Sequence, residues 1–279
     1  MHISVEQPFS LAHSFESGQA FRWQRLGDWY YGVLYDNIIK IRQGLLGLEF
    51  YSSPGPEAEL ENLLRYYLRL DDDLLDIYEG INLDDRMDKA ISKYPGLRLL
   101  RQEPWECLIS FLLSISSNIS RISATIEALC RRFGDRLVFQ EHVRFTFPTP
   151  GQLAGVGEVG LRLMGIGFRS KYVAETAKII CKEDFDFSGL RELSYQDAKK
   201  ELLRFPGVGE KVADCVLLFS LDKLEAFPID RWVKRAVEGW YFEGSGLSYK
   251  QMQTWASNYF GPYAGYAQQY LFHRRRLQG

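Results

Sequence analysis

Apolar and polar residues alternate with a period of two through four short runs, residues 19–25, 29–35, 38–42 and 47–51, rich in aromatic and β-branched side chains. Gly27-Asp28, Asp36-Asn37 and Gln43-Gly44 separate these runs and read as hairpin turns, so antiparallel strands are predicted. Pro56, the acidic residues after it, and then Leu60, Leu63, Leu64 and Tyr67 predict an amphipathic helix. From Glu103 onward the apolar period lengthens to about 3.6 residues. Leu108, Phe111, Leu112 and Ile115 mark one helix; Ile122, Ile126, Leu129 and Phe133 mark the next, closed by Gly134. Further helices follow, punctuated by Gly165-Ile166-Gly167, Pro206-Gly207-Val208-Gly209, Pro228 and Gly261-Pro262, and the strand pattern does not return. The fold class expected is α+β. An N-terminal antiparallel β-sheet with helices fills residues 1–100, and an all-α domain ending in a C-terminal helix fills residues 101–279.

At 279 residues the chain is long enough to bury a core without disulfides or metals. Hydrophobic residues make up 46% and charged residues 25%, which excludes the disordered and collagen-like classes. Lys and Arg number 34 against 36 Asp and Glu, a net charge of −2 that by itself argues against a nucleic-acid partner. The charge is unevenly spread. Residues 57–88 hold eleven acidic and three basic side chains, a local −8, which leaves +6 on the remainder. The acidic stretch reads as a solvated helical face, away from the motifs described below, and an anion-binding surface elsewhere stays open. Cys107, Cys130, Cys181 and Cys215 show no C-x-x-C spacing, and His residues number four. Neither a metal site nor a disulfide framework is expected from them. No signal-peptide pattern opens the sequence, and no run approaches the roughly 18 apolar residues of a membrane span. The expectation is a soluble intracellular monomer with reduced thiols and no membrane partner, in the cytoplasm or nucleoid of a bacterium or the nucleus of a eukaryote.

The most informative segment runs Leu202-Leu203-Arg204-Phe205-Pro206-Gly207-Val208-Gly209-Glu210-Lys211-Val212-Ala213-Asp214-Cys215. A helix ending near Arg204, a tight turn and a second helix from about Glu210 make a helix–hairpin–helix over about residues 195–221. The glycines leave the N–H groups of Gly207, Val208 and Gly209 bare, and the next helix adds the positive end of its dipole. That arrangement suits a backbone phosphate of DNA. Gly-x-Gly alone is better read as an ordinary connection between helices; the whole apolar–Pro-Gly-apolar-Gly pattern is far more specific. Lys211 stands in the first helical turn, where the dipole disfavours a cation, and a neutral amine is a nucleophile. Cys215 lies four residues on, on the same face. Asp230 follows Pro228-Ile229 at an expected helix start. Separately, Lys211 reads as a solvated surface residue and Asp230 as an N-cap. Together they have a chemical sense: the amine can attack a sugar C1′ while the carboxylate stabilises the oxocarbenium-like sugar as the base leaves.

At these residues the sequence resembles the helix–hairpin–helix superfamily of DNA glycosylases, and within it the 8-oxoguanine DNA glycosylase/AP lyases. Ser17-Gly18-Gln19-Ala20-Phe21-Arg22-Trp23 matches that family's Ser-Gly-Gln-x-Phe-Arg-Trp. Residues 99–108, Gly165-Ile166-Gly167-Phe168-Arg169-Ser170-Lys171-Tyr172-Val173, the hairpin, and Gly261-Pro262-Tyr263-Ala264-Gly265-Tyr266-Ala267-Gln268 follow in family order, spanning most of the chain. The resemblance implies a bifunctional DNA repair enzyme. It would flip 8-oxoguanine out of double-stranded DNA, displace it with Lys211 through a Schiff base supported by Asp230, and nick the abasic strand by β-elimination. It implies that the Gly18 carbonyl senses the protonated N7 of the lesion, that Cys215 and Phe272 cover the two faces of the base, and that Gln268 reads its Watson–Crick edge. It further implies DNA contacts from Asn118 and Arg121, from Phe168 and Arg169 at the vacated site, and from Gly207, Val208, Gly209 and Trp232. No metal or other cofactor is called for. The four-cysteine iron–sulfur motif of other branches is absent. The basic run His273-Arg274-Arg275-Arg276 suits either a phosphate contact or a frayed terminus.

Four positions in three segments depart from the family pattern. Ser116-Ser117-Asn118 replaces three consecutive asparagines, Phe168 stands where a tyrosine is common, and Trp232 stands where a histidine is expected. Weaker discrimination of the base opposite the lesion is therefore expected. Two rival readings are a glycosylase of the same superfamily for another damaged purine and a non-catalytic DNA-binding hairpin module. Lys211 speaks against the first; the Lys211 and Asp230 pair, with Gly18, Gln268 and Phe272, speaks against the second.

Overall fold

The period-two pattern near the N-terminus folds into strands β1 (His2–Ile3), β2 (Gln24–Leu26), β3 (Trp29–Leu34), β4 (Asn37–Gly44) and β5 (Gly47–Ser53). They form an antiparallel sheet in the spatial order β1-β5-β4-β3-β2. The computed structural model describes residues 1–278, apart from the side chain of Glu57. In the register found, Ile41 lies opposite both Tyr30 and Phe50, so these three buried side chains share one face of the sheet. Helices α1 (Leu11–Glu16) and α2 (Glu57–Tyr67) cover that face. Leu11, Phe15, Leu60 and Leu64 join Ile39, Ile41, Leu48 and Phe50 in one cluster, and each side chain so buried stabilises the fold by about 1.5–3 kcal/mol.

The first expected strand is cut short, beginning only at Gln24. The cause is the Gln19 side chain. Its Nε2 donates to the carbonyls of Ser14 (3.0 Å) and Arg98 (2.9 Å), and its Oε1 accepts from the Leu100 amide (2.8 Å). A buried side-chain amide here replaces the strand ladder and fastens residues 17–23 against the chain that leads into the helical domain.

That domain contains α3 (Leu74–Ile81), α4 (Asp85–Lys93), α5 (Pro104–Leu113), α6 (Ile119–Phe133), α7 (Pro150–Leu163), α8 (Arg169–Glu183) and α9 (Phe187–Glu192). It continues through α10 (Tyr195–Leu202), α11 (Glu210–Ser220), α12 (Arg231–Tyr241), α13 (Tyr249–Phe260) and α14 (Ala264–Gln278). Helix α5 is apolar nearly all round and buried from Cys107 to Leu113, as a central helix must be. Although they precede residue 100, Leu74, Ile77, Ile81, Met87 and Ala90 lie in the same buried cluster as α5, α11 and α14.

Two expectations need correction. A hairpin of β6 (Arg136–Phe139) and β7 (His142–Phe145) follows α6, so strands do return. Its paired Val138 and Val143 are apolar yet exposed, so polar and apolar residues do not mark its two faces in the sequence. Gly134 before it is in extended conformation; a Cβ there would lie 2.0 Å from the Thr146 carbonyl, so close backbone approach requires the glycine. The acidic stretch is likewise no simple solvated face. Tyr266 donates to Asp72 (2.6 Å), Tyr263 to Asp76 (2.6 Å) and Tyr259 to Asp84 (2.9 Å). It therefore seats the motif at 261–268 instead of lying away from it. Among the described residues no helix is long and apolar enough to cross a membrane.

Candidate active site

A cleft of about 1020 Å³ opens where α5, α6, α11 and α14 converge with the turn at Gly18 and the start of α12. Gly18, Lys211, Cys215, Asp230, Gln268 and Phe272 all line it. Asn118, Arg121, Gly207, Gly209 and Trp232 line it as well. Phe168, Arg169 and Val208 do not.

Lys211 lies in the first turn of α11, half-buried. Its Nζ donates to Ser114 Oγ (2.9 Å), and Ser114 Oγ donates to the Phe111 carbonyl (2.6 Å), leaving an oxygen lone pair for the amine. The same nitrogen sits 5.0 Å from the centre of the Phe111 ring. Among the described residues no carboxylate pairs with it. The amine is thus held by neutral groups at the cleft wall.

Asp230 is the N-cap that the sequence suggested. Oδ1 caps α12, accepting from the amides of Trp232 (2.8 Å) and Val233 (2.9 Å), while the carboxylate lines the same cleft as Lys211. Between them, burial pushes the Cys215 thiol up to about 12 although Lys211 opposes the shift. The sulfur is therefore a neutral, polarisable wall.

Gly18 has φ +82°, and a Cβ there would lie 2.6 Å from Ile119 Cδ1 and 3.3 Å from the Phe272 ring. Only glycine lets the main chain come this close to the cleft. Gln268 is 4% exposed, yet its Oε1 is buried with no hydrogen-bond partner. An acceptor left so costs about 1–3 kcal/mol, and such an atom in a cleft marks where a ligand donor fits. One turn on, Phe272 lines the cleft with the Arg276 guanidinium 5.7 Å from its ring centre. The end of α14 is not frayed. His273 is buried, with its pKa lowered to about 3 by desolvation, Arg274 donates to the Arg86 carbonyl (2.6 Å), and Arg276 to that of Glu16 (2.7 Å).

The hairpin corrects one detail. Val208 N donates to the Phe205 carbonyl (3.1 Å), so this amide is not bare. The amides of Gly207 and Gly209 have no acceptor among the described residues, and both glycines face the cleft. Gly207 has φ +80° and packs so tightly on Tyr172 that a Cβ would lie 2.4 Å from its ring. Arg169 is also not a free cation. It is 7% exposed and its guanidinium donates to the carbonyls of Ile115, Ser116 (3.0 Å) and Ile166 (3.3 Å). It fixes the turn in which Ser116 adopts φ +51°. Phe168 is 49% exposed beside it. Arg121 is exposed, and Asn118 caps α6 by accepting from its amide (2.9 Å). The guanidinium groups of Arg231 and Arg235 lie 4.8 and 5.4 Å from the ring of Trp232.

Comparison with known proteins decides the family. The model for the N-terminal domain of 8-oxoguanine DNA glycosylase matches residues 2–108, and that for the HhH-GPD superfamily of base excision DNA repair proteins matches residues 109–261. The chain belongs to the 8-oxoguanine DNA glycosylase family. It is 32% identical to the probable N-glycosylase/DNA lyase of Methanothermobacter thermautotrophicus, over 80% of this chain and 77% of that protein. It is 31% identical to the N-glycosylase/DNA lyase OGG1 of Arabidopsis thaliana, over 95% of this chain and 79% of that one. The 8-oxoguanine glycosylase/lyase of Clostridium acetobutylicum was solved with double-stranded DNA containing cytosine opposite 8-oxoguanine. It matches with a TM-score of 0.92 at 30% identity, covering 100% of this chain and 98% of that one.

Sequence reasoning missed three residues at the cleft of this family member. Phe111 was legible only as one apolar position among several. Ser114, three residues further along the same helical face, gave no signal until its bond to Lys211 was seen. Arg276 was one of a basic run, and nothing in the run set it over Phe272.

Proposed function

We propose that this protein excises 8-oxoguanine from double-stranded DNA and cleaves the abasic strand. The observation that carries the reading is the meeting of the Lys211 amine with the unpartnered Gln268 oxygen in one cleft large enough for an extruded nucleotide. The base edge donates to Gln268 Oε1, its protonated N7 to the Gly18 carbonyl, and its faces meet Cys215 and Phe272. A purine without the N7 proton has nothing to offer Gly18. The amides of Gly207 and Gly209, with Arg121 and Trp232, receive the duplex backbone and the vacated site.

In the first step the neutral Lys211 amine forms a bond to C1′ as the C1′–N9 bond breaks, and the electron pair leaves with the base. Asp230 faces the positive charge that develops on the sugar. The sugar ring then opens to an imine. Loss of a C2′ proton breaks the C3′–O bond and expels the 3′ phosphate; water hydrolyses the imine and restores Lys211. These steps draw on no metal. Incubation with a duplex bearing one 8-oxoguanine tests the reading. Free 8-oxoguanine and a strand ending in the unsaturated aldehyde are expected without alkali. Intact strands, or a nick that appears only after alkaline treatment, would overturn it.

A further inference from the structure

Behind α11, on the side away from the cleft, a buried polar hub surrounds Asp214, whose side chain is fully shielded from solvent. Tyr195 and Lys199 of α10 reach it from one side, Tyr195 donating at 2.6 Å and Lys199 pairing at 3.0 Å. Tyr249 and Gln253 of α13 reach it from the other, donating at 2.6 and 2.8 Å. Lys199 also pairs with Glu210, the residue before Lys211, at 2.6 Å. An isolated buried carboxylate would be very costly, and four donors offset that cost.

The hub is joined to more than the hairpin. The Nε2 of Gln253 that donates to Asp214 also donates to the Phe227 carbonyl (2.7 Å), and the Tyr249 hydroxyl accepts from the Ile229 amide (3.4 Å). Residues 227–229 lead directly into Asp230. One carboxylate therefore ties the helix bearing Lys211 to the segment bearing Asp230, through residues that do not line the cleft. We propose that Asp214, with Tyr249 and Gln253, is a positioning unit that sets the Lys211 amine and the Asp230 carboxylate in register for base displacement. This rests on the function proposed above and adds to it the residues that hold its two reacting groups together. Groups aligned at a reacting centre lose about a hundredfold in rate for a misplacement of about 1 Å, so loosening the link tells on chemistry before it tells on binding.

The test uses Tyr249→Phe, which removes one oxygen, and Gln253→Met, which keeps the side chain's length. Each is assayed for single-turnover excision of 8-oxoguanine, for borohydride trapping on a duplex with a preformed abasic site, and for affinity to a reduced abasic duplex. Trapping on an open aldehyde needs Lys211 but no support for a sugar cation from Asp230. The expected result is excision slowed about tenfold or more, with trapping and affinity within about twofold of wild type. Excision at the wild-type rate, or excision, trapping and affinity falling together as in a merely destabilised protein, overturns the proposal. Tyr249→Phe alone decides if Gln253→Met does not fold. A wild-type protein that traps on neither duplex would instead overturn the functional reading itself.

Discussion

Lys211 Nζ donates to Ser114 Oγ at 2.9 Å, across the contact between α11 and the end of α5. Ser114 can only accept there, because its own proton is committed to the Phe111 carbonyl at 2.6 Å. The pair fixes where the amine points, and no carboxylate among the described residues pairs with it. Ser114→Ala is expected to slow single-turnover excision about tenfold, by freeing the amine from one direction. Loss of one partly buried hydrogen bond lowers stability by only about 0.5–1.5 kcal/mol. Rates measured alongside thermal melts check this, and an unchanged rate would show that the bond plays no part in chemistry.

Gln268 is expected to separate stability from function. Its Oε1 is buried without a partner, so replacing it by an apolar side chain of similar length removes a penalty of about 1–3 kcal/mol. Gln268→Met should melt at or above the wild-type temperature while excising 8-oxoguanine at least tenfold more slowly, roughly the worth of one base-edge contact. A melting temperature well below wild type would mean that Oε1 has an acceptor role inside the folded protein.

The cysteines lie in opposite environments. Burial pushes the Cys215 and Cys130 thiols up to about 12, whereas Cys181 is exposed. At pH 8 the buried Cys215 is overwhelmingly the neutral thiol. Iodoacetamide should therefore label Cys181 in the native protein and all four cysteines after denaturation, as read by mass spectrometry. For stability the sign is also fixed. The unfolded chain ionises these thiols from about pH 9 while the folded chain keeps its protons, so stability falls as the pH rises from 9 toward 12.

Weak discrimination of the opposite base is expected. Ser116 and Ser117 offer shorter side chains than asparagine, and Arg169 is occupied by the carbonyls of Ile115, Ser116 and Ile166. Arg121 is left as the exposed cation at this end of the cleft. Excision rates opposite cytosine and opposite adenine should then lie within about tenfold, since a well-made bidentate base contact is worth about 1–3 kcal/mol. A preference for cytosine of a hundredfold or more in matched duplexes would contradict this.

Much of the fold was written in periodicity. Ile39, Ile41, Leu48 and Phe50 showed the sheet face, and the glycines at 207 and 209 showed the hairpin. What periodicity could not show was bonding by side chains that substitute for backbone. Gln19 interrupts a strand that its neighbours' pattern favours, and Val208 closes a turn that the glycines suggested was open. The acidic stretch misled for a related reason: Asp72, Asp76 and Asp84 count as charges in a sequence, but in the fold they accept from tyrosines of α13, α14 and the turn between them. At the cleft, Lys211 and Asp230 were legible from the hairpin and a helix start, and Gly18, Gln268 and Phe272 only from the resemblance to a family. Ser114 and the Asp214 hub act through contacts separated by up to about a hundred residues of chain, and no local pattern marks them.

Nucleophilic attack by Lys211 is the central proposal. The direct test is borohydride trapping on a duplex containing 8-oxoguanine, with wild type and Lys211→Gln in parallel. The wild type should form a covalent protein–DNA adduct that resists denaturation, and the variant should form at least about a thousandfold less. No adduct with the wild type, or an adduct undiminished in Lys211→Gln, would contradict the mechanism.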